Sequence, residues 1–111
     1  MKIKTSELKD LALDWAVSAA KGLSWKLHGH IPFSTDWAQG GPIIERERIS
    51  FVSPNEVIDE WEAIHPTQMH NESYGTTPLI AAMRCFVASK LGDEVDVPDE
   101  ILKGNTNDQN R

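Results

Sequence analysis

Cysteine is nearly absent from this chain of 111 residues: Cys85 stands alone, so no internal disulfide can form and the thiol fits a reducing compartment. No apolar run approaches the roughly 20 residues that a membrane helix needs. The start, Met1-Lys2-Ile3-Lys4-Thr5-Ser6-Glu7, turns polar and acidic too early for a signal peptide. Basic residues are scarce, 11 Lys and Arg against 17 Asp and Glu, for a formal charge of -6. Non-specific grip on a nucleic-acid backbone needs many cations facing phosphates, so duplex DNA is a poor partner, although a local basic patch remains open. Internal repeats and low-complexity tracts are missing as well.

Catalytic templates are also wanting. No nucleophile elbow, phosphate loop or His-Glu-x-x-His pattern occurs. Glu45 and Glu47 alternate on an expected strand and could pair as acids, but no nucleophile, metal set or cofactor signature stands beside them. His28-Gly29-His30 is a weak metal signal, and His65 and His70 lie elsewhere. The expectation is a non-catalytic protein with no cofactor and no metal. Its 40% hydrophobic and 25% charged residues suit one soluble domain over residues 1–103, followed by a flexible polar tail over 104–111.

Hydrophobic periodicity gives the elements. Leu8, Leu11, Ala12, Trp15, Ala16 and Ala19 recur at helical spacing, predicting a helix over 5–21 capped by Thr5 or Ser6 and stopped at Gly22. Lys9, Asp10, Asp14 and Lys21 fall off that stripe and should meet water. Alternation over Leu23–His30 predicts a short strand, residues 32–42 a loop holding Trp37, and residues 43–52 a second strand with a charged middle. Ser53-Pro54-Asn55-Glu56 matches a capping box, which predicts a helix from Pro54 to about Ile64 that buries Val57, Ile58 and Trp61. Residues 65–76 follow as a long polar loop. Thr77-Pro78 opens a third helix that Gly92 ends, Val95–Val97 suggests a brief strand, and Pro98–Leu102 one helical turn. The sum is an α+β fold, three helices packed against a small antiparallel sheet.

At this point a resemblance enters. Leu13-Asp14-Trp15-Ala16-Val17, Ser34-Thr35-Asp36-Trp37-Ala38-Gln39-Gly40-Gly41-Pro42-Ile43-Ile44-Glu45, Trp61-Glu62-Ala63 and Thr77-Pro78-Leu79-Ile80-Ala81-Ala82-Met83-Arg84 resemble, in the same order, the NinX-like family of small tailed-bacteriophage proteins. The resemblance runs from Met1 to about Leu102. It implies a phage or prophage accessory product made in the cytoplasm of a bacterial host. It brings no established activity and no catalytic residues.

The residues themselves nominate sites, each with a plainer alternative. Gly40-Gly41-Pro42 can expose backbone N–H groups to a ligand, with Trp37 as a stacking face; equally, two glycines make a tight loop over a core Trp37. Arg46 and Arg48 lie two apart on the expected strand and can fork to phosphate or carboxylate, or simply sit in solvent. Tyr74-Gly75-Thr76-Thr77-Pro78 at a helix start can seat an anion, or Thr77 can merely cap. Arg84, a long cation beside an apolar stripe, needs a partner, either an acid or a ligand. Cys85 reads as a small buried hydrophobe.

Two functions follow as expectations. In the first, a small anionic, nucleotide-like ligand stacks on Trp37 or Tyr74. It takes N–H donors from Gly40, Gly41 and the helix start at Thr76 and Thr77, and Arg46, Arg48 or Arg84 neutralises it. For a phage, sequestering such a molecule would counter a host defence signal. In the second, the chain is a protein-interaction module that inhibits or redirects a host or phage enzyme, with an exposed Trp37 marking the interface. A homodimer is compatible with either.

Overall fold

The computed structural model describes residues 1–68 and 72–106, with side chains through Lys103. The helix running over Pro78–Leu91 (α4) is the element against which the others are laid. Its cap is as the sequence indicates: the Thr77 hydroxyl accepts the Ile80 amide at 3.1 Å, Pro78 takes the first turn, and Gly92, at φ 89°, closes the far end. Leu79, Ala81, Ala82, Met83, Cys85, Phe86 and Val87 are all buried, so apolar atoms cover α4 nearly all round. The expectation of Cys85 as a small core residue holds.

Among the described residues, five α-helices and two antiparallel sheets make up an α+β fold. Strand β1 (Lys2–Lys4) pairs with β5 (Glu94–Asp96), Ile3 opposite Val95. The second sheet runs β2 (Ser50–Val52), β3 (Trp61–Ile64), β4 (Ser73–Gly75), with Phe51 opposite Ala63 and Trp61 opposite Gly75. Helices α1 (Asp10–Ala20) and α3 (Trp37–Glu47) lie on α4, and α5 (Asp99–Thr106) lies on α1. The expected strand at 95–97 is therefore present. The expected last turn grows into α5, which carries helix into the stretch read as tail; residues 107–111 lie outside the described residues.

Several expectations are corrected. The first helix begins at Asp10, not Thr5, because Lys2–Lys4 is drawn into the sheet with β5 and Thr5 follows it, its amide donating to Asp93 O at 2.7 Å and its hydroxyl to Gly92 O at 2.6 Å. Gly22, at φ 77°, does stop that helix. Asp14 is 3% exposed rather than solvated: it accepts the Ser34 amide at 2.8 Å and pairs with His30 Nε2 at 2.7 Å. The expected strand at 23–30 is instead a short helix, α2 (Trp25–His28), capped by Ser24 and ended by Gly29 at φ 68°. Among the described residues no strand pairs with it.

Residues 37–42 of the expected loop and 43–47 of the expected strand form one helix, α3, while Ser50–Val52 keeps the strand conformation as β2. Asp36 caps the helix through the Ala38 amide at 3.0 Å. Gly40, Ile43, Ile44 and Glu47 share the face turned inward, a spacing of three, four and seven that the Gly40-Gly41-Pro42 punctuation hides. The expected helix at 54–64 does not form. Asn55 takes the amides of Val57 and Ile58 on its side-chain oxygen at 2.8 and 2.9 Å, a local turn that competes with helix nucleation by Ser53. Trp61–Ile64 is then pulled into the sheet, where Ala63 is fully buried, while Val57 is 90% exposed.

Candidate functional site

Helices α3 and α4 run side by side in the same direction. Gly40, early in α3, lies against Leu79, early in α4, and Glu47, at the end of α3, reaches Lys90 Nζ at 3.8 Å near the end of α4. That parallel run sorts the nominated residues into separate groups. Trp37 opens α3 and is 54% exposed, so it is not the core plug of the plainer alternative. Its ring sits above Gly41, whose added Cβ would lie 3.9 Å from it. Thr76 and Thr77 are exposed at the matching end of α4. Arg46 and Arg48 lie at the opposite end of α3, roughly 16 Å along an eleven-residue helix. They do not share a strand face: Arg46 belongs to the last turn, and Arg48 closes the helix in the left-handed conformation at φ 58°.

Gly40 offers no open backbone to a ligand. A Cβ there would lie 2.5 Å from Leu79 Cδ1 and 2.5 Å from the Phe33 carbonyl oxygen, so the glycine serves helix packing. Arg84 has partners, and they are neither acid nor ligand. Nε donates to Leu8 O at 2.8 Å and Nη1 to Tyr74 O at 2.7 Å, tying the start of α1 and strand β4 to α4. Burial lowers the Arg84 pKa and nearby Glu60 partly offsets it. Tyr74 is half-buried in β4, its phenol pushed up by burial first and then by Glu62 and Glu72. The nominated arginines therefore do not converge: Arg84 is committed on one flank of α4 and Arg46 and Arg48 lie beyond the other.

A cluster that the sequence analysis did not nominate surrounds Glu47. His65, 8% exposed, receives the Thr67 amide on Nδ1 at 3.2 Å and the Thr67 hydroxyl at 2.9 Å. Nδ1 is thus the acceptor, and Nε2 carries the proton toward Glu47 Oε1 at 2.9 Å. Arg46 Nε and Lys90 Nζ stand 3.5 and 3.8 Å from the same carboxylate. The Glu47 pKa is lowered mainly by the His65 bond, with Lys90 and Arg46 adding to it and burial opposing. Hydroxyl, imidazole and carboxylate occur in relay order, but Thr67 is two residues from His65 and gives both its donors to one nitrogen. The arrangement fastens α3 to the turn after β3. Glu47 follows Gly40, Ile43 and Ile44 on the helical face, which is the signal that reading 43–52 as a strand discarded.

His28 and His30 do not line up on a strand; His30 is bound to Asp14 and its ring lies 5.7 Å from that of Trp25. His70 lies outside the described residues. Among the described residues no group of three His, Cys, Asp or Glu could hold a metal ion. A cleft of about 750 Å³ opens between β1, the start of β4 and the turn into β5, lined by Lys4, Ser6, Glu72, Ala88, Asp93 and Glu94 among others. None of the nominated residues reaches it, and three carboxylates against one ammonium make it a poor seat for an anion.

Trp61 opposite Gly75 and Val52 opposite Glu62 place the loop 53–60 at the edge of the sheet from which Thr76 and Thr77 lead into α4. Trp37, Val57 and Ile58 are thus exposed at one end of the molecule. The Asn55 turn, closed by its own amide donating to Ile58 O at 2.9 Å, holds the two aliphatics in place.

A protein-family profile described as Bacteriophage P22, NinX matches residues 4–90. The chain belongs to that family. No curated protein matches it. As a NinX-family member it is a phage protein, and among its described residues no helix is long and apolar enough to cross a membrane.

Proposed function

We propose that this NinX-family protein is a non-catalytic phage accessory factor that works in the host cytoplasm by binding another protein, inhibiting or redirecting a host or phage enzyme. The observation that carries this reading is the exposure of Trp37 on a capped, well-packed helix. A tryptophan there contributes nothing to the core, and large aromatics held rigid at the surface are the usual anchors of protein interfaces. Val57 and Ile58 at the same end enlarge the apolar surface, and Glu56 and Asp59 around them would form a charged rim. The small anionic ligand is less well supported, because Trp37 stands at the opposite end of α3 from Arg46 and Arg48, and Arg84 beside Tyr74 already gives donors to Leu8 O and Tyr74 O.

The test is capture from host lysate on immobilised protein. The wild-type chain should retain one stoichiometric partner, and Trp37→Ala should lose it with an unchanged melting temperature. Retention of the same partner by the variant would remove Trp37 from the interface. A melting-temperature rise with a mono- or cyclic nucleotide would instead favour the small ligand, and through it the sequestering of a host signal.

A further inference from the structure

The end of the molecule away from Trp37 has the opposite electrical character. Lys21 follows the last residue of α1, Arg46 and Arg48 close α3, and Lys90 lies in the last turn of α4. Around them stands one inward carboxylate, Glu47, shared by Arg46 and Lys90 and by His65. Lys21 lies over the Phe33 ring at 5.8 Å, and repulsion from Arg46 adds to burial in lowering its pKa. Glu45 is exposed on α3; Asp93 and Glu94 turn away into β5 beside Lys4 and Ala88. Ala88 sits about 200° around α4 from Lys90. On a chain of formal charge -6, four cations are thus gathered where three helices end.

We propose that the carboxyl ends of α1, α3 and α4 form a docking surface for an acidic polypeptide segment, with Lys21, Arg46, Arg48 and Lys90 as its contacts. The negative ends of helix dipoles account for some of these cations without any partner. At Arg48, the C-cap of α3, they account for the charge but not for the conformation. Arg48 occupies a left-handed position where glycine or asparagine is favoured, and among the described residues its side chain makes no hydrogen bond or ion pair. An arginine there gives up stability and leaves a forked cation free beside three others. The surface is open rather than enclosed, which suits an extended segment with several carboxylates better than one small anion. Nucleic acid is disfavoured because, among the described residues, Trp37, the large aromatic exposed at the surface, is at the far end of α3, and Phe33 beneath Lys21 is buried. This surface is separate from the one carrying Trp37, and stands or falls independently of it.

A fluorescein-labelled octaglutamate peptide is the probe, with fluorescence anisotropy as the readout. Saturable binding at low salt is expected, weakening as salt rises and falling roughly tenfold in the double variant Arg46→Glu, Arg48→Glu. The single variant Arg48→Gly separates fold from function: its melting temperature should rise by roughly 2–6 °C while its affinity for the peptide drops. The proposal would be overturned by no binding of the peptide at low salt, by equal binding by the charge-reversed double variant, or by tighter binding of a single-stranded oligonucleotide of equal charge. Competition by millimolar inorganic phosphate as effective as by the unlabelled peptide would reduce the surface to a simple anion patch and would count against it equally.

Discussion

A methyl group at Gly40 would meet two neighbours at once. The Leu79 side chain can rotate away from a Cβ at 2.5 Å, but the Phe33 carbonyl at 2.5 Å is backbone and cannot. Alanine is favoured over glycine in a helix by about 1 kcal/mol, while overpacking a tight contact costs about 1–3 kcal/mol. The clash should win: Gly40→Ala is expected to lower the urea midpoint with an unchanged slope, a net loss of about 1–2 kcal/mol. At this scale the sequence was partly legible. Arg84 among apolar neighbours announced a need for partners, yet the two carbonyls it finds belong to Leu8 and Tyr74, the first of them 76 residues away along the chain. Asp14 looked solvated because the groups that bury it, His30 and the Ser34 amide, come from a loop that no periodicity places.

Elements whose signals are local were readable. Thr77, Pro78 and Gly92 bracket α4 with cap chemistry that needs no tertiary help. Helix α3 was not readable, since Gly40-Gly41-Pro42 reads as a turn and only burial against α4 reveals why each residue is tolerated. Pro42 sits on the exposed side, where its missing N–H and its ring do least harm to packing. The Ser53–Glu56 box misled because Asn55 closes a competing turn and β3 recruits the residues beyond. What holds the end of α3 is the Glu47–His65 bond. The Glu47 carboxyl has a lower pKa folded than unfolded, where it would titrate near 4.3. Its stabilising contribution is therefore complete above that value and is lost as pH falls through the lower, folded one. Glu47→Gln should melt at a lower temperature than the wild type at pH 7, and the gap should narrow as pH falls below the unfolded value and on through the lower, folded one. A gap that does not change with pH would assign the loss to packing alone.

Taken whole, the molecule keeps its single thiol behind everything else. Cys85 is 2% exposed, and burial with Glu47 nearby pushes its pKa up to about 11. It should therefore resist a disulfide reagent such as dithionitrobenzoate at pH 8 in the native state and react promptly in denaturant. Its slow native rate should track global opening, and a destabilising change such as Gly40→Ala should accelerate it in proportion to the lost stability. The α+β class could be read from the chain because it depends only on which patterns occur. The segregation of Trp37 from Arg46 and Arg48 could not, since it depends on α3 being a helix and on its running parallel to α4.

The position of α4 late in the chain has a consequence for how the protein is born. Helices α1 and α3 and strands β3 and β4 all lie against residues 78–91. A ribosome delivers those residues after every one of these partners has left the exit tunnel. Until then Ile43, Leu13 and Val17 lack the face of α4 on which the finished core closes.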